Sequence, residues 1–398
     1  MNRRVVVLNH FAVRRGSAGG TRHVELFGRL QHWDTCIVAA DRNLYTSRRE
    51  PYVGATFRTV PTTPVSASPV TRVINWISYA AGAFVVCVFD RRPPTVVYGS
   101  SPHLLAGLAA WGVARLRRAR FVLEIRDIWP LILAEMGTLP PTSATYRTLE
   151  GLESFLYRKA DAIVVLAEGT LARLSESGAE ASKICFIPNG AEPSEFVPST
   201  PREDMRARLS LSGFVFVYTG VHGQANGLDL VLDAARSVQD ELPEVRFLLV
   251  GDGSVKARLV RRAEREGLGN VIFLDPVPKT EIPDVLGACD VGLHVLADVA
   301  LFRYGVSPNK VHDYMAAGLP VLTNTPGEVT RLIEGAGAGI GVEPSELGQG
   351  VRRMRQERSE MHARRAESGK RFIEENRSRT VLAHRLEDLL DDVSRGTA

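Results

Sequence analysis

The chain has only four cysteines in 398 residues. Cys36, Cys87, Cys185 and Cys289 lie far apart, within or beside apolar runs, with no C-x-x-C pair and no clustered histidines. That argues against a disulfide framework and a zinc site, and it suits a reducing cytoplasm. Aromatic residues make up 7%, and no compact tract interleaves them with Lys and Arg, so nucleic acid is not an expected partner. Neither charge sign dominates, the formal net charge being +4. The charge is uneven, however. Up to Thr200 there are 23 basic and 16 acidic residues, and after it 26 and 29, giving +7 and −3. A basic N-terminal half with few aromatics fits an anionic membrane surface better than nucleic acid. Long apolar runs are scarce. The stretch Val5–Leu8 is too short for a signal-peptide core, so export by that route is not expected.

The longest apolar segment, 73–89, is marginal for crossing a bilayer and contains Asn75, Ser78 and Gly82. It reads either as a helix packed on an N-terminal sheet or as a surface helix dipping into a membrane interface. Arg72, Arg91 and Arg92 flank it, and Trp76 and Tyr79 sit near one end. A second apolar patch, 128–134, adds weight to docking. The expected location is therefore cytoplasmic, with peripheral contact on the inner membrane face left open.

Short β-branched runs recur between helical stretches. They fall at 5–8, 35–40, 95–99, 120–125, 161–166 and 183–188, then again at 214–220, 245–253, 270–275, 291–296 and 319–324. Buried parallel strands fit such runs, and 398 residues allow two cores. The fold class is α/β, with two doubly wound domains. The expected division is 1–192, a linker at 193–212 interrupted by Pro193, Pro198 and Pro201, a second domain at 213–371, and a terminal segment 372–398.

The densest chemistry lies in R-Y-G-V-S-P-N-K-V-H-D-Y-M-A-A-G-L-P (303–320). Ser307 reads as an N-cap and Pro308 as the first helical residue, so the positive helix end at 308–310, with the free N–H groups of Asn309 and Lys310, would face an anion. Lys310 adds a point charge, Asp313 follows on a similar face for ribose hydroxyls, and Gly318 ends the helix. An ordinary α/β helix with a good cap would read the same way. The glycine loop H-F-A-V-R-R-G-S-A-G-G-T-R-H (10–23) lacks G-x-G-x-x-G spacing, which disfavours NAD.

The segment S-P-N-K-x-x-D-Y-M-A-A-G-L-P closely resembles the donor-site segment of family 4 retaining glycosyltransferases, which have the GT-B fold. The family's two glutamates fall here on Gly305 and Asp313, a departure that resembles a subgroup making bacterial surface polysaccharides and lipid-linked sugars. I-P-N-G (187–190) before Phe196 is similar to the family's hinge. Y-T-G-V-H-G-Q-A-N-G-L-D (218–229) resembles its phosphate-approaching turn, with Gly220, His222, Gly223 and Asn226 on the donor. The usual basic residues of that turn appear as Val221 and Asn226, which leaves Lys310 and Arg303 to supply positive charge. Gly251, Asp252 and Gly253 resemble the next strand end, and Val277 would lie near the base.

In the first half, E-I-R-D-I-W-P (124–130) resembles the subgroup's R-D-L-W-P, which implies Arg126 on a phosphate and Asp127 orienting or deprotonating an acceptor hydroxyl. Gly16, Gly19 and Gly20 would border the sugar site. Ser101-Pro102-His103 resembles an S-P-P turn and serves either acceptor contact or turn formation.

The resemblance implies a donor nucleotide on the second domain, an acceptor on the first, a central cleft for the chemistry, and a last helix crossing back around 372–394. It further implies retention of configuration, a UDP-linked donor of N-acetylhexosamine type, and no metal or other cofactor. The acceptor would be a glycan, a lipid-linked sugar or a secondary metabolite. Two alternatives stay open, a UDP-sugar 2-epimerase-like enzyme and a nucleotide-sugar-binding subunit without catalysis.

Overall fold

The computed structural model describes residues 3–396 except 16, 18, 44, 45, 47, 67, 102, 136, 300, 301, 303 and 304. Gly16 and Arg303 therefore lie outside the described residues. The chain forms two units, one of residues 1–188 and 382–398, the other of 189–381.

The first unit is built on seven parallel strands: β1 (Arg3–Leu8), β2 (Trp33–Ala40), β3 (Phe57–Val60), β4 (Val96–Ser100), β5 (Arg120–Ile125), β6 (Ala162–Val165) and β7 (Ile184–Phe186). Their order is β3-β2-β1-β4-β5-β6-β7. Val5 to Leu8 are all at or near zero exposure, with no in–out alternation, because layers pack on both faces of the sheet. On one face lie α2 (Pro69–Val88) and α3 (Leu104–Arg117), which follow the short α1 (Arg22–Phe27). The other face is covered by the end of the chain. Leu382, Leu386, Leu389, Leu390 and Val393 pack at helical spacing on Val5, Val7, Phe27 and Trp33. Glu387 Oε1 accepts from the backbone N–H of Gln31 (3.0 Å) and His32 (2.7 Å) in the same layer.

The second unit has six parallel strands: β8 (Phe214–Thr219), β9 (Val245–Val250), β10 (Val271–Leu274), β11 (Val291–His294), β12 (Val321–Thr323) and β13 (Gly339–Gly341). They run in the order β10-β9-β8-β11-β12-β13. Residues 193–212 are not a linker. They carry α4 (Arg202–Arg208), and Phe196, Met205 and Leu211 are buried in this unit's core. Pro193 starts a local helical turn and Pro201 stands at the cap of α4, and the apolar residues around them pay for order by burial. The patch 128–134 also reads differently. Ile128 and Trp129 are 7% and 8% exposed and join the first unit's core, so that patch offers no second surface.

In both sheets the strand order reverses direction once, between β1 and β4 and between β8 and β11. Loops leaving those strands in opposite directions open a crevice at their carboxyl ends, where ligands of open α/β sheets bind. The second crevice depends on one close approach. Tyr314, on α6 (Asn309–Ala316; α5 is Leu228–Val238), lies flat on Gly292 of β11, where a Cβ would stand 2.4 Å from the ring. Gly292→Ala is expected to cost about 1–3 kcal/mol by overpacking. A urea midpoint equal to wild type would show that α6 does not lie this close to the sheet.

Candidate functional site

In the second unit the ends of β8, β9 and β11 and the first turn of α6 supply the candidate donor residues. Gly220 has φ 139° and Gly251 φ 145°, and a Cβ on Gly251 would sit 1.9 Å from the Gly220 carbonyl oxygen. Only glycine lets these two turns touch backbone to backbone. They are knitted by Gly220 N–H to Val250 O (2.9 Å) and His222 N–H to Asp252 O (2.8 Å). Asp252 is exposed and its Oδ1 accepts from Gly253 N–H at 2.8 Å, while Val277 packs half-buried against the core.

Lys310 reaches over this turn. Its Nζ lies 4.0 Å from the Tyr218 ring centroid, 3.5 Å from Asn226 Oδ1 and 3.5 Å from where a Gly220 Cβ would stand. Burial drives its pKa down to about 7, and nearby Asp313 offsets only part of the shift. Among the described residues no carboxylate is within ion-pair distance of Lys310. Its geometry is fixed from below. Val311, Tyr314 and Met315 are buried, and Thr219 N–H donates to the Tyr314 hydroxyl at 2.9 Å.

Two sequence expectations need correction here. Ser307 does not cap α6. Its Oγ accepts from Asn189 N–H (3.0 Å), and Asn189 Nδ2 donates to Ser307 O (2.6 Å). The cap position falls to Pro308, with no side-chain bond, because the Asn189 loop has already engaged the hydroxyl. Asn309 is exposed at the helix start and Gly318, with φ 73°, closes its end. Nor can His222 serve as a direct phosphate donor. Its ring is fully buried, both ring nitrogens lack partners, and its N–H is spent on Asp252. Burial, with Lys256 and Lys310 nearby, lowers its pKa to about 4, so the ring is neutral. Gly223 and Asn226 remain on the open side of the turn.

His294, not foreseen from sequence, ends β11 with Nδ1 2.8 Å from Thr323 Oγ1 and a buried, unpartnered Nε2. Burial, then the charge of Lys310, pushes its pKa well down.

In the first unit the corresponding strand ends hold a buried polar network centred on Glu124, at 1% exposure. Its carboxylate is bound by Arg22 Nε (3.1 Å), His23 Nε2 (2.8 Å), the Tyr98 hydroxyl (2.9 Å) and Ser100 Oγ (2.8 Å). Burial alone would raise its pKa, but His23 and Arg22 outweigh that and hold it well below the usual carboxylate range. Beside it, Ala106 N–H donates to His103 Nδ1 at 3.3 Å, so the proton of His103 sits on Nε2 and is given to His10 Nδ1 at 2.7 Å. Asn75, on α2, is the further partner of His10. The Trp76 ring stacks on His103, centroids 5.3 Å apart.

Ser101 and His103 are thus buried supports, and direct acceptor contact, one of the two roles left open for His103, is not available to its ring. Ser101 Oγ accepts from Arg126 N–H (2.8 Å) and so positions the half-buried Arg126 and the solvent-accessible Asp127. Protein packed closely around Asp127 raises its carboxyl pKa, with Arg126 offsetting part of the rise. Gly19, at φ 138°, and Gly20 turn the loop back on the strand end, where Val13 N–H reaches Gly20 O at 3.4 Å. Among the described residues no three His, Cys, Asp or Glu side chains converge as a metal set.

Comparison with known proteins agrees with this layout. Residues 20–190 match the glycosyl transferase 4-like domain and residues 213–357 the glycosyl transferases group 1 family. The probable glycosyltransferase WbjE of Pseudomonas aeruginosa is 30% identical over 263 residues, 64% of each chain. The putative colanic acid biosynthesis glycosyl transferase WcaI of Escherichia coli K12 is 25% identical over 288 residues, 71% of this chain and 70% of that protein. This chain therefore spans 64% and 70% of these curated relatives. Among solved structures, Anabaena Alr3699/HepE in complex with UDP-glucose shares the fold with a TM-score of 0.72 at 16% identity, covering 98% of this chain and 99% of that one. Two parallel-sheet units of this kind define the GT-B architecture, and the chain belongs to the family 4 glycosyltransferases.

Glu124 gives a direct test of the first unit. Glu124→Gln leaves Arg22 buried without its counter-charge and is expected to cost about 3–5 kcal/mol at pH 7. Because the folded pKa is depressed, the wild-type contribution is present above the unfolded value of 4.5 and fades as pH falls below it. The variant's deficit should therefore shrink in acid. Equal urea midpoints at pH 7 would remove the carboxylate from the network.

Proposed function

We propose that the protein transfers a sugar from a UDP-linked donor to an acceptor hydroxyl, with retention of anomeric configuration and no metal requirement. The observation that carries this reading is Lys310, a desolvated cation with no carboxylate at ion-pair distance among the described residues, held over a glycine turn at the switch point of the second sheet. A diphosphate placed there would meet the ammonium together with free N–H groups at the start of α6. Arg303 adds a second cation to the proposed set. Asp313, half-buried one turn along, faces the ribose in this reading, and Val277 the base. UDP is favoured by the structural likeness to a UDP-glucose complex, and the N-acetylhexosamine type by the resemblance of the donor segment to its subgroup.

In the reaction the bond between the anomeric carbon and the β-phosphate oxygen breaks while the acceptor oxygen bonds to the same face of that carbon. The acceptor proton passes to the departing phosphate. Charge developing on the diphosphate is met by groups already in place, the form of stabilisation that contributes most in such sites. Asp127 orients the acceptor hydroxyl, and Arg126 holds an acceptor phosphate when there is one. The acceptor is a glycan, a lipid-linked sugar or a small metabolite, and the location is cytoplasmic, which suits the four free thiols.

Lys310→Ala should lose UDP-induced thermal stabilisation and lower transfer by about 100-fold or more while unfolding normally. Unchanged turnover in a folded variant would take Lys310 out of the site. The free ammonium has a pKa near 7 and must be charged to bind. UDP affinity is therefore expected to be flat below pH 7 and to fall by about tenfold per unit above it, with a proton taken up on binding. Calorimetry showing no such fall would place the diphosphate away from Lys310. Asp127→Asn should lower transfer and leave UDP affinity alone; loss of UDP binding would put Asp127 on the donor instead.

A further inference from the structure

The α2–α3 pair of the first unit has an outer face that this unit leaves uncovered. α2 turns Asn75, Tyr79, Ala83 and Cys87 inward. On its other side Val70, Val73, Ile74, Ile77 and Val85 are 44% to 64% exposed, and Phe89 beyond it reaches 79%. Between the two helices runs a groove of about 540 Å³, apolar along nearly its whole lining, walled by Ile77, Phe84, Leu105, Leu108, Trp111 and Leu116. An apolar area of this extent marks an interaction surface.

The charges around it point to the partner. Between Pro69 and Arg118 the chain has six arginines and a single acid, Asp90. Asp90 is already neutralised by Arg4 at 3.0 Å and Arg58 at 3.7 Å. Arg72, Arg91, Arg115 and Arg118 are exposed and make no ion pair among the described residues. An apolar strip rimmed by free arginines matches the boundary between acyl chains and anionic headgroups.

The helix is long enough to cross a bilayer, but it is tied to the sheet. Tyr79 donates to Val38 O at 2.7 Å and Asn75 Nδ2 to Thr63 O at 2.5 Å. Freeing α2 to span would strip the first sheet of Tyr79, Ala83 and Cys87, so the attached helix lies flat. We propose that the α2–α3 face docks on an anionic phospholipid bilayer, with the apolar side chains at the acyl boundary, the arginines on the lipid phosphates and an acyl chain in the groove. This goes beyond the transferase reading and does not depend on it.

The test is sedimentation of the whole protein with phosphatidylglycerol-containing vesicles and with pure phosphatidylcholine vesicles. Binding is expected to the anionic vesicles only and to weaken with salt. Ile74→Glu with Ile77→Glu should lower it by about tenfold or more. Arg72→Ala with Arg91→Ala and Arg115→Ala should weaken it and flatten the salt dependence. Thermal unfolding of both variants should match wild type, since all five side chains lie on the outer face. Absence of binding to anionic vesicles, or equal binding by the variants, overturns the proposal. So does a dimer in sedimentation velocity that the isoleucine variant abolishes without vesicle binding by wild type, because a second copy then covers the face.

Discussion

The candidate donor site depends on an ammonium held against an aromatic face, with no carboxylate at ion-pair distance among the described residues. Lys310 sits over Tyr218, and its side-chain hydrogen-bond partner is the neutral amide oxygen of Asn226 at 3.5 Å. A cation–π contact repays only part of the hydration lost, which is why the pKa falls to about 7. Holding it there takes several fitted parts. Gly220 and Gly251 let two turns meet, Gly292 lets Tyr314 lie on the sheet, and Asn189 grips Ser307 just ahead of the helix. Each is a backbone or packing constraint whose combined effect is to leave one charge unsatisfied.

The first unit treats its buried charge in the opposite way. Glu124 has four side-chain partners and nothing left to offer a ligand. Its work is positional. It ties Arg22 and His23 at the start of α1 to the ends of β4 and β5, and Arg22 also reaches the carbonyls of Ile187 and Pro188 at 2.6 and 2.5 Å. In front of that closed network stand Arg126 and Asp127, the polar pair that keeps access to solvent. A rigid interior with a sparse, accessible rim is the arrangement a positioning site requires.

The α2 helix joins two of these themes. Its inner face touches the strand-end histidines through Trp76 and Asn75, and its outer face is the apolar surface with the arginine rim. One element thus carries both the packing of the first unit's buried polar network and the surface assigned to the bilayer.

Most of the strands, their parallel pairing and the glycine stop at Gly318 were legible in the sequence, because apolar runs and backbone-special residues act locally, whereas the short edge strands β3 (Phe57–Val60) and β13 (Gly339–Gly341) carry no apolar run long enough to mark them. The motif that holds Lys310 was legible as well. The Ser307 cap was misread because a distant chain segment, the Asn189 loop, competes for the same hydroxyl, and no local pattern records that. His222 looked available because its burial is not visible locally, its ring lying 5.9 Å from Tyr218 at the end of β8 and 6.3 Å from Phe273 on β10. Glu124 did leave a signal, a carboxylate inside the apolar run R-F-V-L-E-I, though its four partners come from two other parts of the chain, 22–23 and 98–100. Sequence by itself determined where the long apolar strands run and which residues carry charge, but not the short edge strands β3 and β13 or the helix inside 193–212. Only the tertiary structure decided which charges are satisfied, because burial and hydrogen bonding join residues that are distant along the chain.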